Sequence, residues 1–360
     1  MMKKWISLVL CLLVASVSFA QLPELTVEQN LEDYDFAVKY IEDNYSGFSF
    51  WVNDSTRSDY EETKSRLRDE VERGERPCWD AVAAYTGWFS DFHMTLYVTI
   101  DNLTPYSYFH RESINYAELM EVYDPQPVAC KVTDKTFLIR YPSCDVYPDQ
   151  EWIKNSIKQF KKSHCKNLIL DVRGNGGGND NMYTPYLHLL YDHRGGFFKT
   201  IEIRNTPQNM EYLKQQGWHQ RIQQMATDYP ELEYLSYPKS EIFLKKKDKS
   251  VKKAALIIDN SVASSAENLV RDISRCSNRT VIYGRDNTSG CNDFGNLSDV
   301  QLPNCRLWLN VPISRTVGLP ENSIDKNGIA PDVRIPLPLP ARLTDNIDEW
   351  VIWVAEQLEK

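Results

Sequence analysis

Two short runs of the chain are wholly apolar and break abruptly into small residues. The first, NLILDV, ends in RGNGGGND; the second, AALIID, ends in NSVASSAENLV. Apolar runs of this length, bounded by turn signals, read as strands buried on both faces, the pattern of a parallel sheet. From about residue 127 such strands alternate with helices. A strand from Thr136 to Ser143 is followed by an amphipathic helix from Gln150 to Lys162, then by NLILDV and a helix from Asn181 to Tyr191. FFKTIEIRN reads as a strand, AALIID as the second buried strand, and Ala266 to Ser277 as a helix. TVIYG and LWLNVPISRTVGL supply further strands, and Asp345 to Glu359 a closing helix. Repeated strand–helix units of this kind predict an α/β core covered by helices.

The N-terminal part follows a different period. Between Val27 and Tyr45, apolar and aromatic side chains (Leu31, Tyr34, Phe36, Ala37, Tyr40, Ile41) recur at helical spacing. A charged helix is expected from Tyr60 to Arg73, an apolar one from Trp79 to Phe89, and a strand from Leu96 to Ile100. Residues 101–126 are irregular and Tyr-rich. Residues 206–245 are polar and aromatic, with a helical centre and the breaker YPELEYLSYP, and read as an insertion over the core.

Composition narrows the class. The 360 residues are 42% hydrophobic and 25% charged, which argues against disorder, and the net charge of −9 argues against a nucleic-acid partner. The basic stretch Lys245 to Lys253 reads as a solvated loop. At the N-terminus Lys3 and Lys4 precede the apolar stretch Trp5 to Val17, and Ser18-Phe19-Ala20 offers small residues before Gln21. That is the pattern of a signal peptide over residues 1–20, with an uncleaved signal anchor as the alternative, so export is expected, to the periplasm or beyond. Of eight cysteines, cleavage would remove Cys11 and leave Cys78, Cys130, Cys144, Cys165, Cys276, Cys291 and Cys305. Export permits disulfides, and Cys291–Cys305 is the expected pair. No cysteine or histidine spacing fits a zinc site, so no metal is expected.

The chemistry gathers at the two breaks. Gly174, Gly176, Gly177 and Gly178 let a backbone approach a ligand and turn its N–H groups outward, as an oxyanion hole needs. The absence of a following Gly-Lys-Ser/Thr and of GxGxxG spacing excludes the usual phosphate and dinucleotide loops. Asp171 and Arg173 can pair and hold that loop. Ser264 stands where a buried strand meets a helix, at the positive end of the helix dipole. The plain alternative is an N-cap serine, and spacing does not choose among Ser261, Ser264 and Ser265. A serine nucleophile needs a base. Of six histidines, His93 in SDFHMT lies directly before a strand, and no lysine follows Ser264 shortly in a structured context.

LILDVRGNGGG, AALIIDNSVASSAENLV and NGIAPDVRI follow one another as in the C-terminal-processing, or tail-specific, serine protease family. The chain resembles that family over roughly residues 90–335. The resemblance implies an α/β fold with a crotonase/Clp-protease-like spiral β–α core, here beside an N-terminal helical domain, and peptide-bond hydrolysis without metal or organic cofactor. It places the nucleophile on Ser264. The Ser–Lys branch carries a lysine where GRDNTSGCND has Gly290, which argues against that branch. SDFHMT is similar to the Gly-Asp-x-His-Thr motif of the tricorn-core-like and retinoid-binding-repeat-like branch, with Asp91, His93 and Thr95 matching and Met94 inserted. His93 is thereby implied as base, and an acid at Asp325, or nearby Glu321, as its orienting group. The oxyanion hole is implied at Gly176, Gly177 and Ser265. Too few residues separate the His93 strand from the core to hold a PDZ domain.

The expected organisation is a signal peptide (1–20), an N-terminal helical domain carrying the base (21–115), a protease-like core (120–340) with insertion 206–245, and a C-terminal helix (344–360). The expected function is an exported serine peptidase acting on peptides or proteins. Two alternatives share the fold: a non-catalytic protein binding a peptide or lipophilic ligand, and a crotonase-like acyl-transfer enzyme, which export disfavours. Tyr212, Trp218, His219, Tyr229, Tyr234 and Tyr237 make the insertion either a lid over substrate or a small core of its own.

Overall fold

The computed structural model describes residues 23–98, 106–108, 125–145, 147–192, 195–218, 220–244, 248–340 and 346–360. The expected leader, most of the Tyr-rich stretch, and His110, His193 and His219 lie outside them. In chain order come helices α1 (Val27–Asn44), α2 (Phe48–Trp51), α3 (Arg57–Glu72) and α4 (Cys78–Trp88), then strands β1 (Thr95–Val98) and β2 (Tyr106–Tyr108). Next are β3 (Val128–Lys131), β4 (Thr136–Arg140), α5 (Gln150–Ser163), β5 (Asn167–Asp171) and α6 (Asp180–Leu190). The segment β6 (Gly195–Arg204), α7 (Pro207–Gln215), α8 (Gln220–Asp228) and β7 (Tyr234–Leu244) follows. The chain closes with β8 (Lys253–Ile258), α9 (Ser265–Cys276), β9 (Thr280–Gly284), β10 (Phe294–Gln301), β11 (Trp308–Thr316), β12 (Val333–Arg334) and α10 (Glu349–Glu359).

The chain divides into two compact units. One comprises Met1–Arg111, Glu202–Leu235 and Asn296–Arg315; the other comprises Glu112–Ile201, Ser236–Gly295 and Thr316–Lys360. In the first, Thr26 and Gln29 cap α1 reciprocally, each side chain accepting the other's backbone N–H. The apolar stripe of α1 packs with α3 and α4 through aromatics. Tyr34 meets Tyr85 edge-on at 6.2 Å between ring centroids, and the buried Tyr60 and Tyr85 hydroxyls lie 2.8 Å apart. Strand β1 follows α4 and pairs antiparallel with β11, Thr95 opposite Asn310.

The second unit is built on a sheet ordered β12-β9-β8-β5-β4-β3. Strands β4, β5, β8, β9 and β12 run parallel to their neighbours, and β3 is an antiparallel edge. The uniform apolarity of β5 and β8 has a direct cause, because both faces are covered. Leu168, Leu170, Leu256 and Ile258 join a cluster with Tyr183, Leu187 and Leu269 from α6 and α9. Ile169, Ala255 and Ile257 face the other way, onto Trp350, Val351 and Val354 of α10. Parallel strands buried on both sides need such continuous runs. This is the expected α/β core with its N-terminal helices.

Several elements differ from the sequence reading. Strands β3 and β10 were not foreseen. The breaker around Pro238 lies inside strand β7 rather than ending one. Of residues 206–245, read as an insertion over the core, those up to Leu235 fold with the N-terminal helices and those from Ser236 belong to the other unit. Among the former, Tyr234 donates its hydroxyl to Ser46 O at 2.9 Å, and Arg315 stacks 3.5 Å above its ring. That contact gives Tyr234 a packing role, while Tyr229 is exposed. The Cys291–Cys305 bridge is not formed: all seven described cysteines are thiols. Proximity in sequence misled here, because the backbone of Cys291 is held by Glu267 and that of Cys305 by Asp33.

Candidate active site

Strands β5 and β8 are adjacent and parallel, with Asp171 opposite Ile257, so the loops leaving their C-terminal ends emerge side by side. Ligand sites of open α/β sheets form at such ends. The glycine loop after β5 is held from below by a buried ion cluster. Arg173 donates to Asp171 through Nε (2.9 Å) and Nη2 (2.7 Å), and Asp348 at the start of α10 accepts from both Arg173 and Arg140. The two guanidinium groups hold the Asp171 carboxyl far below the usual carboxylate range, against its burial. The expected Asp171–Arg173 pair is therefore present, enlarged by Arg140 and Asp348.

Above this cluster, side chains stitch the two loops together. Gly174 N–H donates to Ser261 Oγ at 3.0 Å, and Ser261 Oγ donates to Asp259 at 2.6 Å. Ala263 N–H donates to Asn175 O, and Asn175 Oδ1 accepts the Gly177 N–H, both at 3.0 Å. Ser265 Oγ donates to Gly178 O at 2.7 Å. The hydroxyls of Ser261 and Ser265 thus have structural tasks.

Ser264 sits differently. Its backbone has φ 53° and ψ −122°, at the N-cap of α9. A positive φ in a residue with a Cβ is costly, and such strain collects at functional sites. Gly177, at φ 104°, packs directly on it: a Cβ at Gly177 would stand 2.7 Å from Ser264 Cβ and 2.9 Å from Ala263 O. Only glycine fits there. The loop therefore touches the serine. Since Gly177 N–H is taken by Asn175, this glycine contributes close approach rather than an oxyanion donor. Among the described residues, the N–H groups of Gly176 and Ser265 donate no hydrogen bond, and a Cβ at Gly176 would meet open space.

Glu267 fixes the strained serine. Its carboxylate is fully buried and accepts the N–H of Ser264 (3.2 Å), Gly290 (2.8 Å) and Cys291 (2.9 Å) and the hydroxyl of Thr288 (2.6 Å). Burial raises its pKa, and these four donors pull it down. Ser264 N–H also reaches Cys291 O at 2.9 Å. Asp325 Oδ1 accepts the N–H of Asn292 and Asp293, at 2.8 and 2.9 Å. It thereby orders the turn that supplies Cys291 O. Glu321 is exposed. Gly290 has φ 69° and lies so close to Ile324 O and Lys326 N that no side chain fits.

His93 belongs to the other unit, with Asp91. The Asp91 side chain is fully enclosed and that of His93 is 16% exposed. Trp51 Nε1 donates to Tyr45 Oη (2.9 Å), Tyr45 donates to Asp91 Oδ2 (2.7 Å), and Asp91 Oδ1 accepts the His93 backbone N–H at 3.0 Å. Asp91 Oδ1 stands 3.8 Å from His93 Nδ1. Burial lowers the His93 pKa, and the Asp91 charge opposes that shift. Burial thus favours the neutral imidazole, the form that accepts a proton.

Ser264, Ser265, Gly176, Gly177 and Asp325 lie in one unit and His93 in the other. The sequence reading used Asp91 only to match a motif and gave Glu267 no role. The signal for Glu267 was the S-x-x-E spacing of a capping box, Ser264 to Glu267. The signal for Asp91 was its place two residues before a histidine.

Comparison with solved structures shows the same fold at low identity. Mature CPAF complexed with lactacystin aligns with TM-score 0.64 and 14% identity over 92% of this chain and 98% of that one. A putative peptidase from Parabacteroides merdae aligns with TM-score 0.57 and 15% identity over 91% and 95%. Comparison with curated proteins finds no match. Residues 135–335 match Peptidase family S41, a span that holds the core sheet except its edge strand β3, the glycine loop, Ser264 and Asp325. With more than half of its length so matched, the chain belongs to peptidase family S41 and is a serine peptidase, a hydrolase acting on peptide or protein substrates.

Proposed function

We propose that this peptidase is exported and cleaves peptide bonds through Ser264, with His93 as general base, in the manner of the tricorn-core-like branch. Ser264 Oγ attacks the scissile carbonyl carbon while His93 takes its proton. The carbonyl π electrons move onto oxygen, where the N–H groups of Gly176 and Ser265 and the N-terminus of α9 stabilise the oxyanion. Collapse of this intermediate breaks the C–N bond, and the imidazolium protonates the departing amine. Water then repeats the sequence on the acyl-enzyme.

The observation that carries the reading is the backbone of Ser264: a positive φ at a strand-to-helix junction, held by Glu267, with Gly177 packed against it. An N-cap serine needs none of these. Asp91 serves as the group beside the imidazole, and Asp325 as a positioning residue for the turn behind Ser264. The SDFHMT motif and the glycine at position 290 support the branch. Export rests on the pattern of residues 1–20. No helix among the described residues is long and apolar enough to cross a membrane.

The test is covalent labelling. A fluorophosphonate should modify wild-type protein on the peptide containing Ser264, His93→Ala should label far more slowly, and Ser264→Ala should not label. Labelling on Ser261 or Ser265 would move the nucleophile. An unlabelled, folded wild type would favour a binding protein on this fold.

A further inference from the structure

In the N-terminal helical unit, two thiols and a carboxylate are buried together. Asp33 on α1, Cys78 at the start of α4 and Cys305 between β10 and β11 are 0%, 0% and 3% exposed. Their Oδ and Sγ atoms all lie within 4.8 Å of one another. We propose that Cys78 and Cys305 are a disulfide site, joined when the protein folds under oxidising conditions. The proposal stands independently of the roles given to Ser264 and His93.

Sulfur atoms held within 4.8 Å of each other in a buried cluster are candidate partners for a disulfide bond of about 2.05 Å. The rest of the cluster fits a disulfide better than a metal. Asp33 Oδ2 accepts the Cys305 N–H at 2.7 Å and the Cys78 thiol at 3.6 Å, and Oδ1 accepts the Asn304 N–H at 2.8 Å and its Nδ2 at 3.0 Å. A carboxylate so engaged has little left to offer a cation. In the thiol form, the contact with Cys78 and burial push the Cys305 thiol far above its ordinary range. The Cys305 thiolate is therefore disfavoured once the fold has closed.

The step balances with a small disulfide as oxidant. One protein thiolate attacks the oxidant's S–S bond, forming a mixed disulfide and releasing one thiol. The second protein thiolate displaces the other half. Two protein S–H bonds become one S–S bond, and the oxidant is reduced to two thiols.

The bond would brace the elements that carry the Asp91–His93 segment. α4 begins at Cys78 and leads into Asp91 and His93. β11, a few residues after Cys305, pairs with the strand that follows His93.

The full chain would be taken through an unfolding–refolding cycle with oxidised glutathione, alkylated while denatured and digested without reduction. The expected product is a single cross-linked peptide pair containing Cys78 and Cys305, two hydrogens lighter than the sum of its parts. The oxidised protein should melt at a higher temperature than the same sample in dithiothreitol, a difference that Cys78→Ala and Cys305→Ala each abolish. Complete alkylation of both cysteines after oxidation would overturn the proposal without needing any variant. So would cross-links scattered over other cysteines, or stoichiometric zinc retained by wild type and lost in Cys78→Ala.

Discussion

Replacing Gly177 by alanine tests the idea that the glycine loop exists to touch Ser264. Two penalties arise. The residue sits at φ 104°, a conformation for which a Cβ costs about 1–3 kcal/mol. The added methyl also lands 2.7 Å from Ser264 Cβ, 2.9 Å from Ala263 O and 3.0 Å from Ser265 N. Overpacking of this kind costs roughly another 1–3 kcal/mol. Reduced freedom in the unfolded chain returns about 0.4–1 kcal/mol, leaving a net loss of about 1–5 kcal/mol. Two of the three neighbours are backbone atoms and the third is bonded to the backbone of Ser264. Relief must therefore shift either the loop or Ser264. Gly176→Ala is the control, since its Cβ meets open space and its φ is ordinary. Chemical unfolding would give the stability loss and fluorophosphonate labelling the reactivity of Ser264. Gly177→Ala should lose both; Gly176→Ala should stay within about 1 kcal/mol of wild type. A Gly177→Ala protein with wild-type stability and labelling rate would refute the contact and the role drawn from it.

Ser264→Gly should abolish hydrolysis yet raise stability by about 1 kcal/mol, because glycine relieves the positive φ while losing little as an N-cap; calorimetry checks this, and a destabilised variant would remove the evidence for strain. Because burial lowers the His93 pKa, activity should be retained below pH 6.5 and fall as the imidazole protonates. Asp91→Asn removes the opposing charge, so the acid limb of the pH–rate profile should move still lower, and movement upward would contradict the assignment. Glu267→Gln should destabilise by about 1–3 kcal/mol, because an amide N–H₂ would confront backbone donors, and it should slow labelling of Ser264; equilibrium unfolding and labelling kinetics read the two effects separately.

The catalytic half of the core was legible because its physics is local. NLILDV and AALIID must be buried on both faces to be so uniformly apolar, and small residues directly after them leave room for a ligand. Strand β10, FGNLSDVQ, was invisible for the opposite reason. Its sequence is turn-like, and its strand form comes from pairing with β11, a partner whose register no local pattern announces. Pro238 within β7 misled in the same way. At the site, Ser264 and the glycines could be read from residue type. The hydrogen bonds of Ser261 and Ser265 depend on Asp259 and Gly178 O, which are brought near by the parallel pairing of β5 with β8. The cysteines give the clearest limit. Cys291 and Cys305 are near in sequence and lie in different units, while Cys78 and Cys305 are far apart in sequence and adjacent in the fold.

Glu267 joins these strands of the argument. A helix N-cap needs one or two acceptors for exposed N–H groups, and solvent can serve the rest. Here a buried carboxylate, raised in pKa by its surroundings, takes four donors. Three of the four come from the turn Thr288–Cys291, and the fourth is the N–H of Ser264. Burying a carboxylate is expensive unless it is fully hydrogen-bonded. A fold that retains one at this point gains a fixed relation between the serine and the turn behind it. Asp325 extends the same device by holding Asn292 and Asp293, so two carboxylates in series set the position of one strained residue. A residue serving only as a helix cap would be cheaper to hold with water. The arrangement makes sense if the position of Ser264 Oγ relative to the glycine loop matters, and in a serine peptidase it does, because attack and oxyanion stabilisation must share one carbonyl.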